Sequence, residues 1–137
     1  MIVLDTNVIS ETMRRGPAIA VIEFLDGLNA DDVFVTSLTV AEIRFGLGRL
    51  PVGNRRDALT SAADLAFNGR FEGRVLAFDT DAAEAYGHIA SRRQTIGRPL
   101  PLVDAMIASI CVVHSATLVT RNAKDFEGLG LSLINPW

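Results

Sequence analysis

Apolar positions along this chain fall in short blocks, and helical patterns separate them. Ile2-Val3-Leu4 reads as a buried strand. Asp5-Thr6-Asn7 are all helix-capping types and predict a short helix to about Arg14, which Gly16 ends. Pro17 suits the first turn of a second helix, in which Ala18, Val21, Ile22, Leu25 and Leu28 recur at helical spacing. Val33-Phe34-Val35-Thr36 is a second strand, followed by a helix from near Thr39 to about Arg49. Beyond the break at Leu50-Pro51-Val52-Gly53, a polar-surfaced helix is predicted from about Asn54 to Phe67. A third strand is predicted over Arg74 to Phe78, then a helix over Asp81 to Thr95 capped by Asp79 or Thr80. The loop Gly97 to Pro101 leads into Leu102 to His114, apolar almost all round and so predicted to be a helix buried in the middle of the domain. Thr117 to Thr120 and Leu131 to Ile134 supply two more strands. The alternation predicts an α/β fold with a central parallel sheet of about five strands flanked by helices, the whole of 1–137 forming a single domain.

Composition narrows the function. At 137 residues, 49% hydrophobic and 21% charged, the chain can bury a core without staples. Its one cysteine, Cys111, sits in an apolar run and is expected to pack as a small hydrophobe. No apolar run reaches the roughly 18 residues of a membrane span, and no basic region leads into an apolar stretch as in a secretory signal, so a cytoplasmic protein is expected. A net charge of −3 argues against coating nucleic acid through bulk positive charge. It leaves a nuclease open, because a site that gathers carboxylates around a metal makes its own protein acidic.

Acidic residues stand where the chain leaves its predicted strands, the end of an α/β sheet at which ligands bind. Asp5 follows the first strand. Glu42 falls in the first turn of the helix after the second. Asn122 and Asp125 follow the fourth, and Asp104 opens the most apolar helix. Magnesium takes hard oxygen ligands and keeps several waters, so a few carboxylates suffice to hold it for phosphodiester cleavage. Each residue also has a plainer role. Asp5 can cap its helix, Thr39 and Glu42 have capping-box spacing, Asp104 complements a helix dipole, and Asp125 suits a loop. Spacing by itself does not name a nuclease.

The pieces Leu4-Asp5-Thr6-Asn7-Val8-Ile9-Ser10-Glu11, Thr39-Val40-Ala41-Glu42-Ile43-Arg44-Phe45-Gly46, Asp104-Ala105-Met106-Ile107-Ala108, Val119-Thr120-Arg121-Asn122-Ala123-Lys124-Asp125-Phe126 and Asn135-Pro136-Trp137 occur in this order across nearly the whole chain. Together they resemble the PIN-domain toxins of the VapC and FitB type. The resemblance implies a PIN-like fold and a ribonuclease that requires magnesium or manganese. It makes Asp5 and Asp104 the principal metal ligands and Glu42 the third acid, with Thr6 and Asn7 beside the metal to orient water or phosphate. It further implies a homodimer, inhibition by a small VapB- or FitA-like antitoxin, and promoter DNA bound only through that antitoxin. Many members carry a fourth acid just after Val-Thr-Arg, where this chain has Asn122. Asp125, three residues on, would supply that carboxylate, and a two-metal mechanism is not implied. Arg121 lies inside the same motif and is the candidate for contact with RNA.

Other readings are weaker. An aspartyl-phosphate phosphatase wants a second Asp two residues after the first, where Asn7 stands. A phosphorylated receiver would leave Asp5, Glu42 and Asp104 without a purpose. The alternative that retains the resemblance is a catalytically inactive PIN-like module that binds protein or RNA, and it rests on Asn122. His88 and His114 are too few for a zinc site. The pairs Arg14-Arg15, Arg55-Arg56 and Arg92-Arg93, with Arg98, read as solvated helix surface or as phosphate contacts.

Overall fold

The computed structural model describes residues 1–137. Five strands are observed: β1 (Ile2–Leu4), β2 (Val33–Thr36), β3 (Val75–Leu76), β4 (Thr117–Val119) and β5 (Ser132–Ile134). Six helices accompany them: α1 (Thr6–Thr12), α2 (Ile19–Asp26), α3 (Ser37–Gly48), α4 (Asn54–Leu65), α5 (Thr80–Thr95) and α6 (Leu102–Val113). The strands form one sheet in the order β3-β2-β1-β4-β5, and every pairing is parallel. The chain winds outward from β1 through β2 to β3, then returns to the other side of β1 for β4 and β5. The switch point lies between β1 and β4, in register from Ile2 opposite Thr117 to Leu4 opposite Val119. Ligands bind at such a crevice, off the carboxyl ends of the strands.

Both sheet faces are covered, so the central strands read as continuous apolar runs. Successive residues of β1 point to opposite faces. Val3 packs with Ile107, Ala108 and Cys111 of α6, while Leu4 packs with Val8, Val21, Val35 and Phe67 on the other face. Cys111 is fully buried, in keeping with its reading as a small core residue. Ser109, also buried, satisfies its hydroxyl by donating to the carbonyl of Ala105 at 2.6 Å. No helix is long and apolar enough to cross a membrane.

Several elements depart from the sequence reading. The third strand was expected over residues 74–78 but pairs only at Val75 and Leu76. Beyond them the N–H of Phe78 turns to Ser37 Oγ at 3.2 Å, and its ring meets Tyr86 edge-on. The second helix starts at Ile19 and stops at Asp26, short of the predicted span. The fourth helix leaves α geometry at Ala66, where a wide turn lets the N–H of Phe71 reach the carbonyl of Ala66 at 2.8 Å. That turn keeps both Phe67 and Phe71 buried in one core cluster.

Candidate active site

Asp5 ends β1 and caps α1. Its N–H still donates to the carbonyl of Val119 at 3.0 Å, so the residue continues the ladder and is fixed between strands. Oδ1 accepts from the N–H of Thr6 at 2.7 Å. Oδ2 accepts from Asn7 Nδ2 and from Thr120 Oγ1, both at 2.7 Å. The side chain is thus the helix cap of the plainer reading, and it is also a buried, cross-linked carboxylate. Burial raises its pKa above the ordinary value, and the hydrogen bonds from Thr120, Thr6 and Asn7 oppose that rise.

Glu42 corrects an expectation. The helix that carries it starts at Ser37, not near Thr39, and its cap is Thr36, whose Oγ1 accepts from the N–H of Thr39 at 3.1 Å. Thr36, Ser37 and Thr39 are all capping types, and the buried end of β2 selects the earliest. Glu42 therefore lies in the second turn and plays no part in a capping box. Its Oε1 accepts instead from the Thr6 hydroxyl at 2.6 Å, a tie from α3 to the first turn of α1. Arg44, two residues on, pairs with Asp64 of α4 at 2.7 Å and lies over the ring of Phe67, away from these acids.

Asp104 occupies the first turn of α6, half-buried and without a capping bond from its neighbours. Its pKa is pushed up to about 6, by burial first, then by the negative charges of Asp5, Glu42 and Asp125. Carboxylates from three other parts of the chain therefore act on Asp104. Asp125 is exposed on the tight turn Ala123–Phe126 that follows β4. Asn122 heads that turn. It is exposed, its side chain makes no capping bond, and its N–H donates to Thr120 Oγ1 at 3.1 Å. The third negative charge acting on Asp104 thus comes from Asp125, not from position 122.

The residues between the acids hold them. Asn7 donates to Asp5 and accepts from the N–H of Arg121 at 3.2 Å, joining α1 to the chain after β4. Arg121 is exposed, and its guanidinium lies 5.4 Å from the centre of the Trp137 ring. Thr6 and Asn7 thus use their polar groups on Glu42 and Asp5. The sequence reading missed Thr120. Fully buried, it donates to Asp5 and accepts from Asn7 and Asn122, three bonds at one hydroxyl. Its one signal was a polar residue closing the apolar strand beside β1.

The donor set consists of hard oxygen ligands, the kind a divalent cation such as magnesium takes. No group of three His, Cys, Asp or Glu side chains is gathered tightly enough to enclose an ion unaided. An open carboxylate crevice of this kind suits an ion that retains most of its waters. A cavity of about 780 Å³ lies elsewhere, against Leu4, Met13, Leu25, Leu59, Phe67 and Phe71. It is lined mainly by apolar side chains, and among acids only by Asp26.

Residues 2–130 match the PIN domain family. The chain is 39% identical over its full length to the VapC ribonuclease Y4jK of Sinorhizobium fredii, covering 98% of that protein. It is 37% identical to Toxin FitB of Neisseria gonorrhoeae, covering 100% of this chain and 99% of the other. The structure of FitAB bound to the IR36 DNA fragment superposes with a TM-score of 0.94 at 37% identity, covering 100% of this chain and 96% of that one. The fold, the switch-point acids and these matches place the chain in the PIN domain family.

Proposed function

We propose that this chain is a magnesium-dependent endoribonuclease, the toxin of a toxin–antitoxin pair, that cleaves RNA phosphodiester bonds and is held inactive by a cognate VapB- or FitA-like antitoxin. The observation that carries the reading is that Thr6 joins Asp5 and Glu42 where β1 ends, its N–H donating to one and its hydroxyl to the other, with Asp104 near enough to their charge that its carboxyl is pushed up. The likeness to proteins named as a VapC ribonuclease and as a toxin supports it.

Asp5, Asp104 and Glu42 would hold Mg2+, with Mn2+ as a substitute. When bound, the ion supplies positive charge against the phosphate and makes a coordinated water more acidic. The protein's own part is placement. Asp5 is the fixed point, since each of its oxygens is already oriented by a donor. Thr6 holds Glu42 through its hydroxyl. Asp104 brings a carboxylate whose charge is disfavoured until a cation relieves the crowding. Asp125, Asn122 and Arg121 stand exposed on the segment after β4, where an RNA backbone would arrive.

The same reading includes a homodimer, an antitoxin that carries the complex to promoter DNA, and action in the cytoplasm. Exposed Phe45 and Leu102, on the helices that bear Glu42 and Asp104, and the apolar groove supply surface for these partners. The test is cleavage of a structured RNA by purified, antitoxin-free protein with magnesium, with manganese and with chelator, beside Asp5→Asn. Metal-dependent cutting lost in the variant is expected. A folded wild type that cuts under none of these conditions, or a variant that cuts equally well, overturns the reading.

A further inference from the structure

Arg93 is a buried arginine without a counter-ion. It lies in the last turn of α5 and is only 5% exposed. Three of its donors go to backbone carbonyls: Nε to Arg98 at 2.6 Å, Nη1 to Glu127 at 2.9 Å and Nη2 to Asp125 at 3.0 Å. A guanidinium has five N–H donors, so two are left over. The ion pairs of the molecule join Arg14 to Glu11, Arg44 to Asp64 and Arg74 to Asp31, and none involves Arg93. A charge withdrawn from water is costly unless it is compensated, and carbonyl dipoles compensate it only in part.

That side chain lines a cavity of about 260 Å³ shared with His88, Arg92, Ile96, Arg98 and Glu127. Arg92 and Arg98 are exposed, and neither takes part in an ion pair, even with Glu127 on the same wall. Three arginines therefore line one hollow of a chain whose net charge is −3. The planar fork of arginine matches phosphate geometry, and its charge persists at every physiological pH. The hollow is also tied to the turn that carries Asp125. Arg93 grips the carbonyl of Asp125, whose carboxylate acts on Asp104.

We infer that this cavity is a phosphate subsite: it holds a backbone phosphate of the RNA strand while another phosphate of the same strand lies at the acidic crevice. The inference rests on the ribonuclease reading and adds to it a second anchoring point. Two contacts with one strand fix its direction and register across the crevice, which the carboxylates by themselves would not do.

The test measures binding of a fluorescein-labelled single-stranded RNA to the full chain in chelator, where nothing is cut, as a function of salt. Arg92→Gln/Arg98→Gln is compared with wild type and with Arg15→Gln/Arg55→Gln, which removes equal charge from exposed sites elsewhere. The pocket variant is expected to bind about tenfold more weakly, with a salt slope smaller by about 0.7 per lost phosphate contact, while the control pair binds as wild type does. Wild type must also cut RNA in magnesium. If it does, and the pocket variant binds unchanged, the subsite is overturned and the nuclease stands. Equal weakening in both double variants indicates diffuse attraction and overturns the subsite as well. A pocket variant that keeps RNA but loses the antitoxin assigns the cavity to protein and overturns it too. A wild type that neither binds nor cuts removes the subsite along with the reading beneath it.

Discussion

The Thr6 hydroxyl donates to Glu42 across 2.6 Å and 36 positions of sequence, joining the first turn of α1 to the second turn of α3. The bond fixes the direction of an acid that would otherwise sit on a half-buried helix face with freedom at three torsions. Groups that orient a metal ligand typically contribute about 10–100-fold in metal affinity or activity. Thr6→Val keeps the shape and removes the donor. It is expected to lower magnesium-dependent cleavage by about that factor, with about 1 kcal/mol lost in stability. Cleavage kinetics and denaturant melts on the same preparation separate the two effects.

Thr120→Val is the harsher change. It removes a fully buried hydroxyl that donates to Asp5 and accepts from Asn7 and Asn122. Donors left without partners inside a protein cost about 1–3 kcal/mol. A fall in the urea midpoint of that size is expected, with cleavage reduced as Asp5 loses one of its two Oδ2 partners. Thr120→Ser retains the hydroxyl and is expected to restore both.

Asp104 makes stability depend on pH in a defined direction. Its carboxyl titrates at about 6 in the folded chain against an ordinary 3.8, so the folded state binds the proton more tightly. The stability this group contributes is present in full below about pH 4 and is lost as pH rises through about 6. Because the side chain is only half-buried, the effect is of order 1 kcal/mol after allowance for solvent screening. In chelator at pH 7, Asp104→Asn is expected to melt about 2–4 °C above wild type. The difference should vanish near pH 4, and magnesium should raise the wild type but not the variant. A variant that melts below wild type at pH 7 would contradict the crowding of these acids.

Cys111 is fully buried against β1 and β4, and its thiol is pushed up to about 12, by burial first and by the charge of Asp5 second. The thiolate is the reactive form. Native protein is expected to resist iodoacetamide for as long as it stays folded and to react once urea is added. Labelling of one thiol per chain in native buffer would be the contrary result.

How much of this could be read in the amino acids depends on the range of the contacts. Asp5 and Asp104 stood out because each is an acid set against an apolar run, at the end of a strand and at the head of the most apolar helix. The sheet followed from the alternation of short strands with helices. Thr120 did not stand out, because threonine is an ordinary strand residue and its partner Asp5 is 115 positions away. Glu42 was expected in the first turn of its helix and stands in the second, since Thr36 won the cap from Thr39 through a tertiary preference that local spacing does not carry. Arg93 read as half of a surface pair, and only the turn folded beneath it shows the side chain to be interior. The third strand shrank because an edge strand with one neighbour ends wherever its outer residues find another partner, here Ser37 for Phe78.

The strand order places β1 at the centre of the sheet, between one neighbour near the start of the chain and another near its end. The catalytic crevice is therefore assembled last during synthesis. While the ribosome is still making the chain, Asp5 lacks Thr120, and the turn bearing Asp125 does not yet exist. Completion of the crevice is thus tied to the arrival of Thr120 and of the turn that bears Asp125, not to the early folding of β1 and β2.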